Sequence, residues 1–328
     1  DIAVDANRHV RGITLAGGEE IEADHVILAI GHSARDTFAM LHRRGVHIAA
    51  KPFSIGARIE HPQSLIDRAR FGAFAGHPTL GAADYKLVHH ASNGRSVYSF
   101  CMCPGGRVVA ATSEAGCVAT NGMSQYSRSE FNANAGIVVG ITPADFATSP
   151  TAEAADPNHD PLAGIAFQQH WERAAYRTGG SSYAAPAQRV GDLLANRASQ
   201  HLGEVTPSYK PGVHPADLAA CLPAFAITAI REALTQFARD IPGFAMRDAV
   251  LTGVETRTSS PIRITRGNDG QSVNTGGLFP AGEGAGYAGG IMSAGVDGIR
   301  IAEAVAAFLA GTKPLEHMTR GDGAVTYG

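Results

Sequence analysis

The chain has 328 residues, of which 44% are hydrophobic and 17% charged, a balance typical of a protein with a well-buried globular core. Its length predicts two domains, or one domain with a large insertion. The net charge of -3 and the lack of any membrane-length apolar stretch indicate neither a nucleic-acid nor a membrane partner. Four cysteines are too few to stabilise a chain of this size by disulfide bonds, which favours a reducing, cytoplasmic compartment.

The N-terminal residues predict a β-meander. Residues 1–15 contain two short strands about a turn at residues 5–7, and residues 16–19 form a second turn. Residues 25–31, His-Val-Ile-Leu-Ala-Ile-Gly, are then a nearly continuous apolar run, as in a strand buried in a parallel sheet. We therefore expect a meander that leads into a buried strand ending at Gly31.

The next hundred residues predict further strands. Residues 53–60 alternate as a strand, and residues 85–90 form another. Residues 96–103 are expected to pair with residues 107–112 in a hairpin, because a Pro-Gly-Gly turn separates them. Asn121-Gly122 predicts an additional turn.

Helical patterns follow a polar stretch near residues 151–160. Apolar spacing around residues 167–175 and 190–194 predicts two helices, and the clearest helix covers residues 227–241 before a Pro-Gly pair ends it. A strand at residues 250–254 is expected to return the chain to its first domain.

The most informative stretch lies near the C-terminus. Residues 278–281 predict a short buried strand, which ends in a glycine cluster around Glu283. From residue 291 to residue 309 the apolar positions recur at helix spacing. Glycines between a strand end and a helix start let the backbone approach a ligand, to which the first helical turn presents its free amides. We therefore expect a ligand site here.

Gly284, Gly286 and Gly289 match the spacing G-x-G-x-x-G, but their place in the chain argues against a dinucleotide fingerprint. Such a fingerprint opens a βαβ unit, with a second strand about 20 residues on. Only 39 residues follow Gly289, and the tail from Lys313 carries no buried-strand pattern. The strand followed by Glu-Gly-x-Gly also resembles the first motif of nucleotide-methyl transferases, and its place in the chain argues against that assignment for the same reason. This strand and helix are therefore expected to be the last elements of a fold and not the first.

Five stretches, spread over nearly the whole chain, carry a family resemblance: Ala29–Asp36, Cys101–Gly106, Thr120–Ser124, Arg257–Arg263 and Pro280–Gly290. Together they resemble FAD-binding flavoproteins of the glutathione-reductase type, and more narrowly the FAD-dependent dehydrogenase (NAD(P)/FAD-dependent oxidoreductase) family. The resemblance implies an α/β fold, with a partial, Rossmann-like FAD/NAD(P)-binding domain that carries a β-meander, plus an inserted α+β substrate domain.

The resemblance also implies domain bounds. The FAD-binding domain would comprise residues 1–50 and 250–328, and the inserted substrate or cap domain residues 51–249. In such flavoproteins the phosphate-binding βαβ unit precedes the meander, so it is expected upstream of residue 1. The given chain would then be the C-terminal part of a longer protein, inactive alone.

The same resemblance implies that the two glycine-terminated strands are neighbours in a single sheet, and it assigns roles to their ends. Glu283 would accept a hydrogen bond from a ribityl hydroxyl of FAD, and the following helix would point its N-terminus at the flavin ring. The implied cofactor-binding residues are Gly31, Ser33, Arg35, Gly282, Glu283, Gly284, Gly289, Gly290, Ile291 and Met292. The alternative, in which Glu283 caps the helix and the glycines form ordinary turns, stays open.

Cys101 and Cys103 are weak catalytic candidates. On a regular strand they would face the same side, about 6.7 Å apart, whereas a disulfide needs about 3.5–4.5 Å between Cβ atoms. A redox role would therefore require the strand to break at Met102. The alternative is buried packing near the flavin.

Arg257, Ser259 and Ser260 are the other weak catalytic candidates. Hydroxyls beside an arginine suit an anionic or carbonyl-bearing ligand, although they can also satisfy the backbone of their own turn. The histidines, including His32 and the His89-His90 pair, lack a spacing that suits a metal, so no metal site is expected.

The sequence thus predicts an FAD-dependent oxidoreductase or dehydrogenase that acts on a small-molecule substrate, with NAD(P)H as a candidate electron donor. A non-catalytic flavin- or nucleotide-binding module is the alternative. A third hypothesis treats the chain as a stable shell with an empty cleft.

Overall fold

The computed structural model describes residues 1–146 and 160–312. The predicted polar tail from Lys313, and nearly all of the polar stretch at residues 151–160, lie outside the described residues. The first elements in chain order are β1 (Ile2–Val4), β2 (Val10–Thr14), β3 (Glu20–Glu22), β4 (Val26–Leu28), α1 (Arg35–Arg43), β5 (Ile48–Ala50), β6 (Phe53–Pro62), α2 (Gln63–Phe71), β7 (Val88–His90), β8 (Ser96–Ala110), β9 (Thr120–Ser124) and β10 (Asn132–Ile141).

The remaining elements are α3 (Pro143–Phe146), α4 (Ala163–Thr178), β11 (Ala185–Arg189), α5 (Val190–Leu194), β12 (Val213–Pro215), α6 (Ala224–Asp240), β13 (Val250–Glu255), β14 (Ile262–Ile264), β15 (Leu278–Pro280) and α7 (Ile291–Leu309). Short 3-10 helices occur at Gly72–Phe74 and Leu218–Ala220. No helix within the described ranges has both the length and the apolar character that crossing a bilayer requires.

The chain divides into two compact units, which we call unit 1 and unit 2. Unit 1 comprises Asp1–Pro52, Thr142–Ala166 and Ser259–Gly328, and unit 2 comprises Phe53–Ile141 and Phe167–Thr258. These bounds differ from the predicted ones in two respects, because residues 142–146 and 160–166 cluster with unit 1 and β13 lies in unit 2. The flavin-binding and substrate roles of the two domains stay predictions.

The described part of unit 1 contains three small sheets. Strands β1, β2 and β3 form the expected antiparallel meander, β5 pairs antiparallel with β14, and β4 pairs parallel with β15. Helix α1 buries Phe38 and Leu41 against Ile262, Ile264 and Leu278, so the meander, α1 and the late strands share one hydrophobic core. Residues nearly 240 positions apart in sequence are thereby held in one layer.

Unit 2 is built on a mixed sheet of eight strands in the order β12-β11-β13-β6-β10-β8-β7, with β9 paired to β8. The long central strands β6 and β10 pair antiparallel over ten residues each, and β11 pairs parallel with β12. The helix predicted at residues 227–241 is confirmed as α6, whose Ile227, Ile230, Leu234 and Phe237 are buried. The described chain therefore has a general α/β fold.

Three predictions about unit 2 were wrong. Ser96–Ala110 is one strand and not a hairpin, because residues 97–106 pair with β10 and residues 106–110 pair with β9. Gly105 has φ +45°, and a Cβ there would lie 1.8 Å from the carbonyl oxygen of Arg128. The glycine therefore lets the Arg128 backbone lie close to strand β8. Asn121-Gly122 lies inside β9 and not in a turn.

The third wrong prediction was that the strand at residues 250–254, which is β13, returns the chain to its first domain. The residues of this strand pair with β6, beginning with Val250 opposite Glu60, and therefore extend the sheet of unit 2 and do not return to the first domain. All six residues of β13 are buried. A strand buried on both faces has no alternation that could identify its sheet, which is why the sequence pattern misassigned it.

Candidate functional site

The candidate site is the edge of unit 1 at which β4 and β15 end, and we call residues 29–33 and 281–290 the glycine edge. Leu278, Phe279 and Pro280 lie opposite Val26, Ile27 and Leu28 in a parallel ladder, and the Ala281 amide donates to the Leu28 carbonyl over 3.0 Å. The carboxyl ends of parallel strands meet at one edge of a sheet. The expectation that the two glycine-terminated strands are neighbours is confirmed.

The two strand ends touch through their backbones. A Cβ at Gly284 would lie 2.3 Å from the carbonyl oxygen of Gly31 and 2.7 Å from its carbonyl carbon, so a side chain has no room there. Gly31 and Gly282 have φ of +70° and +73°, the left-handed region that favours glycine. Within the described residues, no atom lies within 4 Å of a Cβ built at Gly31. The glycine edge therefore presents bare backbone to open space.

Glu283 and His32 stand side by side at this edge. His32 Nδ1 lies 3.6 Å from Glu283 Oε2, and about a quarter of each side chain is exposed, 21% and 26% respectively. Glu283 does not cap α7, because the N-cap is Gly290 and no side chain caps this helix. The alternative in which Glu283 is the N-cap residue of α7 is thus not supported. The partly exposed carboxylate therefore lies beside His32 at this edge.

Helix α7 begins at the glycine edge with an exposed first turn. Ile291 and Met292 are 92% and 80% exposed, and the turn contains no acidic residue. Ser293 Oγ accepts from the Gly289 amide and donates to the Gly290 carbonyl, which closes the entry to the helix. Without a capping side chain or an acidic residue, the positive end of the helix dipole is left uncompensated by the helix's own first turn.

Asp297 and Arg266 fix the glycine edge from beneath, and sequence reasoning missed both. Asp297 Oδ2 accepts from the Gly282 amide at 2.6 Å and from Arg266 Nη1 at 2.9 Å, and Arg266 also donates to the Pro280 carbonyl. Burial alone would raise the pKa of Asp297, but the hydrogen bonds from Arg266 and Gly282 lower it. The one available signal was an aspartate at a buried position of an apolar helix.

Lys51 is a second residue that the sequence did not single out. Its Nζ lies 3.2 Å from Ser259 Oγ and 3.5 Å from the Ser260 carbonyl, while Ser260 Oγ donates to the Gly284 carbonyl over 3.2 Å. Burial, and then the positive charge of Arg263, lower the pKa of Lys51 to about 8, although Glu283 opposes the shift. Two of the predicted catalytic candidates thus adjoin a lysine that titrates near neutral pH.

The titration of Lys51 predicts a pH dependence of stability. Because the pKa is about 8 in the folded chain and ordinarily 10.5, the unfolded chain binds more protons between these values, so the Lys51 contribution to the free energy of unfolding rises with pH across this window. We expect wild type to gain stability relative to Lys51→Met between pH 7 and pH 9.5, measured by urea denaturation. An equal difference at both pH values would contradict the lowered pKa.

Arg257 lies in unit 2, and its guanidinium is occupied. It donates to Glu172 Oε2 over 2.9 Å, and to Ser113 Oγ over 2.6 Å, and the arginine and glutamate side chains are both buried. Thr258 Oγ1 donates to the Ser54 carbonyl. These contacts favour a structural role for Arg257.

The remaining predicted residues fall in two places. Ser33 and Arg35 follow β4, where the Arg35 amide donates to the Ser33 carbonyl and a buried Arg35 opens α1. Cys101 and Cys103 lie on β8 of unit 2, and both are free thiols. Within residues 1–146 and 160–312, no group of three or more His, Cys, Asp and Glu side chains is arranged to hold a metal ion.

Comparison with known proteins gives a family and a relative. The family model described as "FAD-dependent protein, C-terminal domain-like" matches residues 52–258, well over half of the chain. The chain is 49% identical over 290 residues to a protein of Clostridium beijerinckii (strain ATCC 51743 / NCIMB 8052) that is named only "Uncharacterized protein". The alignment covers 88% of this chain and 52% of the relative, so the chain spans about half of the relative's length.

Proposed function

The chain belongs to the FAD-dependent protein family defined by this C-terminal domain, and from that premise we propose that it acts in an FAD-dependent oxidoreductase, with the flavin bound at the glycine edge of unit 1. The observation that carries the proposal is the backbone contact between Gly31 and Gly284 at the ends of two parallel strands, beside the Glu283 carboxylate. In α/β sheets, ligands bind outside the carboxyl ends of the strands.

The residues of the glycine edge fit FAD. A Cβ at Gly31 would enter open space, and at Gly282 it would meet only the Ala294 Cβ, at 3.9 Å, so the backbone here can be approached closely by a flat or extended ligand. The partly exposed Glu283 carboxylate would accept from a ribityl hydroxyl. We assign Gly31, Ser33 and Arg35 to the adenosine side of the cofactor.

Bound FAD would supply two-electron chemistry, passing a hydride or electrons between a donor and a small-molecule substrate. The chain's own residues bind and polarise. The first-turn amides of α7, at Ile291 and Met292, would stabilise negative charge facing them by about 0.3–2 kcal/mol. Lys51 Nζ holds a proton below pH 8 and can release it above, beside Ser259 and Ser260.

The proposal extends to the two units. Unit 1 would be the partial, Rossmann-like FAD-binding domain, and unit 2, which contains most of the residues matched by the family model, would be the inserted domain that receives the substrate. We propose NAD(P)H as the electron donor. Bleaching of the bound flavin by NADH or NADPH is the expected result, whereas tight FAD binding without any bleaching would favour a non-catalytic flavin-binding module.

Glu283→Ala tests the binding role. Loss of a hydrogen bond to a charged acceptor costs about 1.5–3 kcal/mol, so FAD affinity is expected to fall roughly tenfold to a hundredfold. The measurement is quenching of FAD fluorescence on titration with protein expressed from its complete reading frame. Glu20→Ala, which removes an exposed carboxylate of β3, is the matched control and should leave the affinity unchanged. Equal affinities of wild type and Glu283→Ala would count against the assignment.

A further inference from the structure

Strand β8 carries Cys101 and Cys103, and its pairing with β10 is irregular between Phe100 and Cys103. On β10, Gly136 pairs with Phe100 and Asn134 pairs with Cys103, so β8 has one residue more than its partner over this interval. Cys101 has φ +43°, in the left-handed region that non-glycine residues seldom adopt. An extra residue of this kind is a β-bulge, which re-aims side chains and is frequent beside functional sites.

The bulge removes the geometric objection to a dithiol. The regular-strand separation of about 6.7 Å no longer applies, because the backbone at Cys101 is not extended. Cys103 Sγ instead lies 3.3 Å from the carbonyl oxygen of Cys101. Cys101 is exposed, whereas Cys103 is buried. Cys101 is therefore accessible to a dissolved reactant, whereas Cys103 is shielded from it.

A buried charged frame supports the two thiols. Arg58 Nη1 donates to the Cys101 carbonyl over 2.8 Å and lies 3.9 Å from Cys103 Sγ. The same guanidinium donates to both carboxylate oxygens of Glu255, at 2.5 and 2.9 Å, and to Asn134 Oδ1 at 2.9 Å. Arg58, Asn134 and Glu255 are all fully or almost fully buried.

The frame also holds a buried donor. Asn134 Oδ1 must accept from Arg58, because arginine only donates, and this fixes the amide orientation. Asn134 Nδ2 is buried and has no hydrogen-bond partner in the part of the chain that the structure describes. Buried donors are normally satisfied. An anionic sulfur in this cluster would supply an acceptor.

The surroundings of the two thiols shift their pKa values in opposite directions. The pKa of Cys101 is lowered to about 6, first by the hydrogen bond from Cys103 and then by the positive charge of Arg58, against the effect of burial. The pKa of Cys103 is raised, by its hydrogen bond to Cys101 and by burial. The other titratable groups that face the pair are Glu255 and the buried phenol of Tyr85. The lower pKa thus belongs to the exposed cysteine.

We propose that Cys101 and Cys103 form a thiol–disulfide exchange centre, in which Cys101 attacks low-molecular-weight disulfides and Cys103 resolves the adduct. The carrying observation is the juxtaposition of an exposed and a buried thiol at a β-bulge held by Arg58. This activity lies beyond the proposed flavin function, and its test requires no flavin.

The reaction proceeds in two balanced steps. The Cys101 thiolate attacks one sulfur of a disulfide R–S–S–R, the new bond joins Cys101 Sγ to that sulfur, and one R–S⁻ leaves. Cys103 then loses its proton and attacks Cys101 Sγ, which forms the Cys101–Cys103 disulfide and expels the second R–S⁻. The two protons released by the cysteines protonate the two R–S⁻. Two thiols are oxidised by two electrons, and one disulfide is reduced to two thiols.

The experiment uses 5,5′-dithiobis(2-nitrobenzoate) as the disulfide, with the protein expressed from its complete reading frame, and follows release of the coloured thiolate by stopped flow. Wild type should release two equivalents rapidly, and mass spectrometry should then show a chain lighter by two hydrogens without an adduct. The rate should level off above about pH 7, whereas ordinary thiols keep gaining thiolate up to about pH 8.5.

Matched serine variants separate the two roles. Cys101→Ser should slow the fast phase at pH 6.5 about tenfold or more, and Cys221→Ser, which alters a buried thiol elsewhere in unit 2, should leave it unchanged. Cys103→Ser should release one equivalent and retain the adduct on Cys101. Should Cys103→Ser fail to fold, the mass of treated wild type still decides between a disulfide and an adduct.

Two results would overturn the proposal. One is a fast phase that persists in Cys101→Ser, which would place the reactive thiol elsewhere. The other is a wild-type chain that keeps a stable adduct on Cys101 and releases one equivalent, which would show that Cys103 does not resolve it.

Discussion

Replacing Gly284 by alanine is expected to eliminate FAD retention, with flavin content of the purified protein falling below about a tenth of the wild-type level. The added Cβ would lie 2.3, 2.7 and 2.9 Å from the carbonyl oxygen, carbonyl carbon and amide nitrogen of Gly31. These are backbone atoms, so the two strand ends must separate. Forcing atoms into a closely packed contact typically costs about 1–3 kcal/mol, and the separation would open the surface that we assign to the cofactor.

The control for this prediction is Gly298→Ala, in helix α7. Within the described residues, nothing lies within 4 Å of a Cβ built there, and alanine is favoured over glycine in a helix by about 0.5–1 kcal/mol. This variant should keep its flavin and unfold at an equal or higher temperature. Full flavin content in Gly284→Ala would show that the Gly31–Gly284 contact does not shape the cofactor site.

Replacing Arg58 by methionine should destabilise the protein by about 3–5 kcal/mol, because it leaves the Glu255 carboxylate buried without its partner. Both side chains are essentially inaccessible, and the guanidinium donates to both carboxylate oxygens. Burial raises the pKa of Glu255, while Arg58 opposes that shift. The free energy of unfolding is measured by urea denaturation at pH 7.

The double variant Arg58→Met with Glu255→Leu is the matched comparison. Replacing a buried ion pair by apolar side chains of similar volume is often neutral or stabilising, so the double variant should recover most of the loss. A double variant as unstable as Arg58→Met alone would show that the Arg58 contacts to Cys101 and Asn134 carry more of the stability than the ion pair does.

Apolar patterning predicted the existence of the meander, the strand before Gly31 and helices α6 and α7. Burial follows the predicted face only in α6, because Ile27 of β4 and Ile291, Ile299 and Leu309 of α7 are exposed. That β4 and β15 are neighbours followed from the two glycine-terminated strand ends together, and the structure adds that they pair in parallel. Ser96–Ala110 was misread, because a Pro-Gly-Gly sequence is compatible both with a turn and with an irregular strand.

The supporting residues of the glycine edge could not be predicted, because their roles depend on partners distant in sequence. Lys51 meets Ser259 across 208 positions, and Asp297 meets the Gly282 amide only after α7 folds back on the strand end. Arg58 and Glu255 likewise find each other across two neighbouring strands of the sheet. No local spacing identifies such pairs.

The family match and the proposed flavin site rest on different parts of the chain. The family model covers residues 52–258, whereas Gly31 and Glu283 lie outside that range. FAD dependence is thus supported by residues of which most lie in unit 2, and the location of the cofactor is supported by the geometry of unit 1. The two arguments are independent.

The most direct test of the glycine-edge assignment is hydrogen–deuterium exchange of the protein, expressed from its complete reading frame, with and without saturating FAD. Amides protected by a ligand or ordered by it exchange more slowly. We predict that FAD slows exchange in peptides covering residues 29–35 and 281–293, while the meander at residues 1–22 is unaffected. Saturating FAD binding that leaves both of those peptides unchanged would contradict the account.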